Sequence, residues 1–120
     1  MAIIALSFSK PPLSANQRLH WAKRATITKQ VRQEAAWRAR SKKLPAMQAC
    51  QVTLHYRPRD NRRRDADNLV PTLKALCDGL VDAGLVPDDT PNYMHKHMPV
   101  IHPAERGKQG IMWLEINRKD

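Results

Sequence analysis

Residues 50–57 decide the fold because they carry the clearest strand pattern in the chain, Cys50-Gln51-Val52-Thr53-Leu54-His55-Tyr56-Arg57. Apolar and polar side chains alternate along this stretch, which is typical of a β-strand with one buried and one exposed face. Pro58 follows at once and cannot donate a ladder hydrogen bond, so we expect the strand to end there. A half-buried strand needs a layer packed against its apolar face.

Two helical patterns predict that layer. Apolar residues recur every four positions between residues 27 and 39, and basic residues occupy the other faces. This pattern indicates a strongly basic amphipathic helix that begins at Thr26 or Thr28, either of which is a suitable N-cap, and ends near Lys43. Residues 14–25, which precede it, have no firm period and suggest a loop or irregular helix. A second helix, closed by Gly84, is predicted from an apolar stripe: Leu69, Leu73, Leu76, Cys77 and Leu80.

The remaining apolar segments indicate further strands. Residues 4–8 alternate in the same way as residues 50–57, residues 93–100 are compatible with a strand, and residues 111–116 form a hydrophobic closing strand. The order strand, helix, strand, helix, strand, strand predicts an α+β fold, in which a small mixed sheet of about four strands packs with two main helices. With 120 residues, the chain has the length of a single domain, which we place at residues 1–120.

The charge of the chain is high and unevenly placed. Lys and Arg number 21 against 11 Asp and Glu, a formal net charge of +10. Residues 1–64 hold 15 basic and 2 acidic residues, whereas residues 65–120 hold 6 and 9. Such an excess attracts polyanions, either nucleic acid or an anionic membrane. No segment approaches the roughly 18 consecutive apolar residues of a membrane span, and the N-terminus lacks the pattern of a secretory signal. We therefore expect a cytoplasmic protein without a membrane partner.

The stretch with the most chemical information joins the best strand to the best helix: Arg62-Arg63-Arg64-Asp65-Ala66-Asp67-Asn68-Leu69. In extended backbone, residues two apart project to the same side, so Asp65 and Asp67 would present their carboxylates together. Paired hard oxygen ligands suit Mg²⁺, with Mn²⁺ as a substitute. The alternative is that Asp67 or Asn68 caps the helix and that Asp65 only balances the arginines.

Two further acidic features lie on or beyond the second helix. The segment Val86-Pro87-Asp88-Asp89-Thr90 would return toward the sheet and could supply a third carboxylate, although it is also an ordinary acidic turn. Lys74 and Asp78 are four residues apart, the spacing of a solvated ion pair on a helix surface.

Taken together, these motifs resemble the RusA-type Holliday-junction resolvases. The resemblance runs from about Tyr56 to Asp89, in the order Arg-Arg-Arg-Asp-x-Asp-Asn-Leu, a helix lysine and Pro-Asp-Asp. It implies a homodimeric, Mg²⁺-dependent endonuclease that resolves four-way DNA junctions by paired symmetric nicks in recombination and repair, in a protein of phage or prophage origin.

The resemblance also implies roles for individual residues. Asp65, Asp67 and Asp89 match the family's carboxylates and are the expected catalytic metal ligands, with Asp88 as a helper. The family's essential lysine follows the second of these acids by four residues. Here Lys74 follows Asp67 by seven, so three residues, 70–72, are extra.

The longer spacing still leaves Lys74 near the face of the acids. Seven helical steps turn about 700° and four steps about 400°, so the two azimuths differ by about 60°. Helical side chains lean toward the N-terminus, which lets a lysine one turn further along reach back. We therefore take Lys74 as the catalytic lysine.

Clustered carboxylates repel DNA phosphates, and the basic half of the chain would offset this repulsion. The residues expected to bind the DNA backbone are Arg59, Arg62, Arg63, Arg64, Lys29 and Arg32. A four-way junction must be cut twice, yet one chain offers a single acidic cluster, so we expect a homodimer.

Two other functions fit the same residues. The chain could be a non-catalytic basic DNA-binding or architectural protein, in which the acids only cap and balance. It could also be a nuclease that acts on other branched DNA, such as forks or flaps. A test for metal-dependent cleavage distinguishes the non-catalytic protein from a nuclease. A comparison of DNA substrates distinguishes a nuclease for forks or flaps from one for four-way junctions.

Overall fold

The computed structural model describes residues 1–119, which form two α-helices and five strands. In chain order the elements are β1 (Ala2–Ala5), α1 (Trp21–Ser41), β2 (Cys50–Arg57), a 3₁₀ turn (Ala66–Leu69), α2 (Val70–Asp82), β3 (Met94–Lys96), β4 (Val100–Ile101) and β5 (Ile111–Arg118). The predicted α+β class is confirmed. The sheet has five strands because the segment 93–100 contributes two short ones, β3 and β4. Asp120, the last residue of the predicted domain, lies outside the described residues.

The strands form one mixed sheet with β5 and β2 at its centre. The order is β1-β5-β2-β3, and β4 pairs with β2 beyond the end of β3. β5 runs antiparallel to both β1 and β2, whereas β3 and β4 run parallel to β2. Leu114 of β5 lies opposite both Ile4 and Leu54, so three buried side chains meet across the middle of the sheet.

The helices and one face of the sheet share a single hydrophobic core, as expected for one domain. The alternation predicted for residues 50–57 is confirmed, since every second residue of β2 from Cys50 to Tyr56 is buried. The predicted stripe of α2 is confirmed as well. Its five members are all within 3% of complete burial: Leu69, Leu73, Leu76, Cys77 and Leu80. Val31, Ala35 and Ala39 of α1 are buried at the predicted spacing of four.

The two helices approach each other closely at Gly79. A Cβ atom placed on this residue would lie 2.2 Å from the carbonyl oxygen of Arg32 and 2.8 Å from the Cβ atom of Ala35. Only a residue without a side chain fits this helix crossing without moving α1. Gly84 ends α2 in the left-handed conformation predicted for it, with φ of 81°.

The start of α1 differs from the sequence prediction. The helix begins at Trp21, and His20 caps it by accepting the backbone N–H of Ala22 at Nδ1, 3.2 Å away. Thr26 and Thr28 lie inside the helix, where their hydroxyls donate to the carbonyls four residues earlier. The hydroxyl of such a threonine is hydrogen-bonded to a carbonyl of its own helix and does not cap the first N–H groups, so the residue does not mark a helix start.

The two cysteines lie in the core, whereas two of the tryptophans lie on the surface. Cys50 and Cys77 are free and buried, and burial raises the pKa of their thiols to about 11 and about 12. Trp21 and Trp37 lie on the surface of the chain, 77% and 62% exposed. No helix within residues 1–119 is long and apolar enough to cross a membrane.

Candidate functional site

The 3₁₀ turn that precedes α2 carries the first two predicted acids. Asp65 has an extended backbone, with φ of −102° and ψ of 132°, and its carbonyl oxygen accepts the N–H of Asn68 at 3.1 Å. Asp67 lies inside the turn, so the premise that both acids share extended backbone is wrong for Asp67. Both side chains are exposed at the start of the helix.

Neither acid acts as a cap or balances an arginine. The 3₁₀ turn and α2 begin without a side-chain capping hydrogen bond. Asp60 instead forms the ion pairs with the arginines, at 3.3 Å from Arg62 and 2.7 Å from Arg64. Within residues 1–119, the carboxylates of Asp65 and Asp67 form no ion pair. Capping by these side chains and pairing with the arginines are therefore not what the structure shows for Asp65 and Asp67.

The third predicted acid, Asp89, lies in direct contact with the predicted lysine. Its Oδ2 atom accepts hydrogen bonds from Lys74 Nζ at 2.5 Å and from Lys96 Nζ at 3.0 Å. The carboxylate side chain is 19% exposed, whereas that of Lys74 is 55% exposed. The hydrogen bond from Lys74, followed by that from Lys96, holds the pKa of Asp89 far below its usual value. Asp89 in turn raises the pKa of Lys74, so the carboxylate of Asp89 and the ammonium of Lys74 are both charged at neutral pH.

Asp78 completes this group of charges. The predicted pair of Lys74 and Asp78 is confirmed, with Nζ at 3.1 Å from Oδ1. Lys74 therefore bridges two carboxylates, one on its own helix and one on the loop that follows it. Asp88 shapes that loop, since its Oδ1 atom accepts the backbone N–H of Asp89 at 2.7 Å. We name Lys74, Asp78, Asp89 and Lys96 the lysine–aspartate cluster.

Sequence reasoning missed Lys96. The residue lies on β3, where it pairs with Val52 of the parallel strand β2. The partnership with Asp89 depends on the chain turning back beside the sheet after α2, and no local pattern predicts that turn. A cleft of about 220 Å³ lies beside Lys74 and Lys96, and its other walls are largely apolar, formed by Val70, Leu73, His97, Met98 and Pro99.

The extra residues 70–72 form the first turn of α2 rather than a loop. Thr72 is fully buried, and its Oγ1 atom donates to the carbonyl of Leu13 at 2.6 Å and accepts the N–H of the same residue at 3.2 Å. The backbone N–H of Ala15 also donates to the carbonyl of Asn68 at 3.3 Å. The loop after β1 is thus fastened to the start of α2, directly beside the exposed acids.

The three predicted metal ligands are all carboxylates, and hard oxygen donors suit Mg²⁺ by type. Within residues 1–119, however, no three acidic, histidine or cysteine side chains converge in a group that would hold a metal ion. Asp89 is instead compensated by two ammonium groups. The carboxylates of Asp65, Asp67 and Asp89 are therefore chemically suitable ligands for a divalent cation. In the structure, Lys74 and Lys96 contact one of them, Asp89.

The six predicted DNA-binding residues fall into two groups. Arg59, Arg62, Arg63 and Arg64 precede α2 at its N-terminal end, and the first two are 76% and 71% exposed. Lys29 and Arg32 lie on α1 and line an open surface with Trp21 and Arg24. Arg32 is paired with Asp82, the last residue of α2, at 2.5 Å. The groups thus flank opposite ends of α2.

Comparisons of the chain with protein-family models and with curated proteins found no match. The functional assignment therefore depends on the residues and contacts described above. They define a class: a two-layer α+β domain with exposed acids at the start of one helix, a basic loop before that helix, and a lysine–aspartate cluster that joins the helix to the loop after it and to β3.

Proposed function

We propose that the protein is a divalent-metal-dependent endonuclease of the RusA type, which acts on branched DNA and chiefly on four-way junctions. The observation that carries the proposal is the contact between Lys74 and Asp89. Both were singled out by the resemblance to the RusA-type family, they are 15 positions apart, and their side chains meet at 2.5 Å. Two residues chosen for catalysis and found in contact support a common site.

The position of the other two acids supports the same site. Asp65 and Asp67 precede α2, and Lys74 lies on its exposed side about two helical turns further along. Asp65 and Asp67 are free of competing ion pairs within residues 1–119, and so their oxygens remain available to a ligand.

In the proposed reaction, Asp65, Asp67 and Asp89 would hold Mg²⁺ or Mn²⁺. The cation supplies activation of water and neutralisation of charge that builds on the phosphodiester. Lys74 would leave Asp89 and donate to a phosphate oxygen, where a preorganised cation lowers the barrier to bond cleavage. Lys96 stays on the buried side of Asp89 and keeps that carboxylate ionised.

The DNA backbone would be held by the exposed arginines before α2 and by Lys29 and Arg32 on α1. A junction has approximate two-fold symmetry and needs two cuts, so the active form would be a homodimer that supplies one site to each strand. This proposal places the protein in the cytoplasm, in recombination and repair of DNA.

The test is cleavage of a synthetic four-way junction by the Asp67→Asn variant, with Mg²⁺ and with a chelator. We expect the variant to lose Mg²⁺-dependent cleavage and to bind the junction as tightly as the unmodified protein or more tightly, because one repulsive charge is removed. The matched control is Glu115→Gln on β5, which makes the same chemical change at a carboxylate that contacts His55 and should cleave normally. Equal cleavage by Asp67→Asn and the unmodified protein would refute the proposal.

The same assay identifies the substrate class. Forks, flaps and plain duplex of matched sequence are compared with the four-way junction under identical salt. Faster cleavage of a fork or flap would support nuclease activity but show that the preferred substrate is not the four-way junction. Sedimentation of the free protein and of its junction complex reports whether a dimer makes the paired nicks.

A second function is favoured by one specific observation. Since Asp89 is compensated by two lysines, a non-catalytic DNA-binding protein would need no metal at this position. That function predicts binding that weakens steeply with salt and no cleavage with any divalent cation. A complete absence of Mg²⁺- and Mn²⁺-dependent nicks, together with junction binding, would establish it.

A further inference from the structure

A groove of about 830 Å³ lies between three loops at the end of the sheet where β2 ends and β5 begins. Its walls come from the segment after β1, the arginine-rich segment after β2, and the turn before β5. We name it the three-loop groove. Its charged lining residues are Lys10, Arg59, Asp60, Arg62, Arg64 and Lys108.

The charge of this groove is strongly positive. Five cations face one carboxylate, and Asp60 already contacts three of the arginines, at 3.7 Å, 3.3 Å and 2.7 Å. A single carboxylate neutralises only one of these charges. Lys10 forms no ion pair within residues 1–119, and Lys108 pairs only with Glu105, which is 51% exposed. The groove therefore carries an uncompensated excess that an anionic ligand would lower in energy.

The walls of the groove are held in place before any ligand arrives. At Gly110 an added Cβ atom would lie 2.0 Å from the carbonyl oxygen of Ser9, so the segment that carries Lys10 is packed directly against the start of β5. Arg64 is fixed by hydrogen bonds to the carbonyls of Asp60 and Arg62 and lies over the ring of Tyr56, 5.9 Å from its centre. Arg64 is therefore ordered in advance and loses little freedom when it binds an anion.

We propose that the three-loop groove binds the sugar–phosphate backbone of one DNA arm, and that Lys10 and Lys108 belong to this interface along with the arginines. The inference rests on the proposed function and adds to it the path of the DNA away from the acids. Arg64 is next to Asp65 in the chain, so a strand that follows the groove leads directly to the candidate catalytic residues.

The lining favours a phosphate chain over a base or a single small anion. Tyr56 is the only aromatic residue of the lining within residues 1–119. Its exposed fraction is 4%, and its ring lies beneath Arg64. No open ring is therefore offered for base stacking. Five cations spread over three loops match several successive phosphates, whereas a lone phosphate group would contact only a few of them.

The test is the salt dependence of binding to a labelled four-way junction in the presence of a chelator, so that no cleavage occurs. We expect the double variant Lys10→Ala with Lys108→Ala to lower the slope of log K against log salt by about 2, since each phosphate contact contributes roughly 0.9. The matched control is Arg118→Ala with Lys119→Ala, which removes the same charge at the opposite end of β5. That control should leave the slope within about 0.5 of the unmodified protein.

Each outcome decides the inference. An unchanged slope in the Lys10 and Lys108 variant, or an equal fall in both double variants, overturns it. A parallel titration with inorganic pyrophosphate, at constant ionic strength, separates DNA from a small phosphate compound. Pyrophosphate binding that is lost in the variant while DNA binding is retained also overturns it. The binding measurement needs no metal. A lower salt-dependence slope in the Lys10 and Lys108 variant, together with no cleavage by the unmodified protein in Mg²⁺, would therefore support DNA binding in the groove and refute only the nuclease activity.

Discussion

The ammonium nitrogen of Lys74 lies 2.5 Å from Oδ2 of Asp89, although one residue belongs to α2 and the other to the loop that follows it. A second ammonium, that of Lys96, reaches the same oxygen from β3. The pKa of Asp89 is held far below its usual value for this reason. A carboxylate that stays ionised under all physiological conditions is suited to a cation, whether that cation is a lysine or a metal ion.

The first prediction concerns Lys74. Replacement by alanine should lower junction cleavage by about 10²-fold or more, the size of the loss when one preorganised donor to a developing anion is removed. Junction binding should change by less than about threefold, because a single exposed cation contributes little to a large electrostatic interface. Single-turnover cleavage and anisotropy measure the two effects separately. Lys119→Ala removes an exposed cation elsewhere and is the control. A cleavage rate unchanged in Lys74→Ala would exclude a catalytic role.

Local patterns predicted α2 well and its surroundings poorly. The stripe that includes Leu73 and Leu80 is a periodic signal within one helix, so it could be found without knowledge of the fold. The contact between Lys96 and Asp89 depends on β3 pairing with β2, which is a tertiary event. The start of α1 was wrong for a related reason, since residues 14–25 have no apolar period and the helix is capped by His20.

The arginine-rich segment illustrates the same limit. The sequence suggested that Asp65 could balance its neighbouring arginines, because it follows them directly. In the structure Asp60 takes this role, since the loop folds back so that Arg62 and Arg64 surround it. The path of the loop decides which of the two nearby acids pairs with the arginines, and in this path Arg64 bonds Asp60 and lies over the ring of Tyr56.

The second prediction concerns Thr72, which lies in the segment that appeared to be extra. Thr72→Val should lower the free energy of unfolding by about 1–3 kcal/mol, because the buried N–H and carbonyl of Leu13 would lose their partner. Thr72→Ser keeps the hydroxyl and should recover most of this loss. Urea denaturation measures both. Thr26→Val, at an exposed hydroxyl within α1, is the matched control and should change stability by less than about 0.5 kcal/mol. Equal stability of the Val and Ser variants would contradict the anchoring role.

The third prediction concerns the helix crossing. Gly79→Ala should destabilise the protein by about 1–3 kcal/mol, because the new methyl group would meet the carbonyl of Arg32 and force α1 outward. Helix propensity alone predicts the opposite sign, a gain of about 1 kcal/mol. Adding Ala35→Gly removes the contact with the methyl group of residue 35 and leaves the carbonyl in place, so it should restore little. Thermal or urea denaturation decides between the two signs, and a stabilised Gly79→Ala variant would show that the helices move apart easily.

The fourth prediction concerns His102, which packs on the sheet face opposite the helices. Its Nε2 atom lies 2.9 Å from Nδ1 of His55, and its ring stacks on Trp113. Nε2 of His55 lies 2.9 Å from Oε1 of Glu115. If His55 carries a single ring proton, on Nε2 toward the carboxylate, its Nδ1 atom is an acceptor and His102 donates to it. Burial, and then the nearness of His55, lowers the pKa of His102 from its ordinary value of 6.5.

A lowered pKa means that the folded protein binds fewer protons at His102 than the unfolded chain does. Stability should therefore rise with pH between the folded pKa and 6.5, and it should be lost as the pH falls through that interval. His102→Gln removes the titrating group while keeping an amide donor for His55, so the dependence of the unfolding free energy on pH between about 5 and 7 should become flatter. Urea titrations at several pH values measure the slope. His95→Gln, an exposed imidazole that makes no contact with this pair, is the control and should keep it. A slope that persists unchanged in His102→Gln would assign the pH dependence to another group.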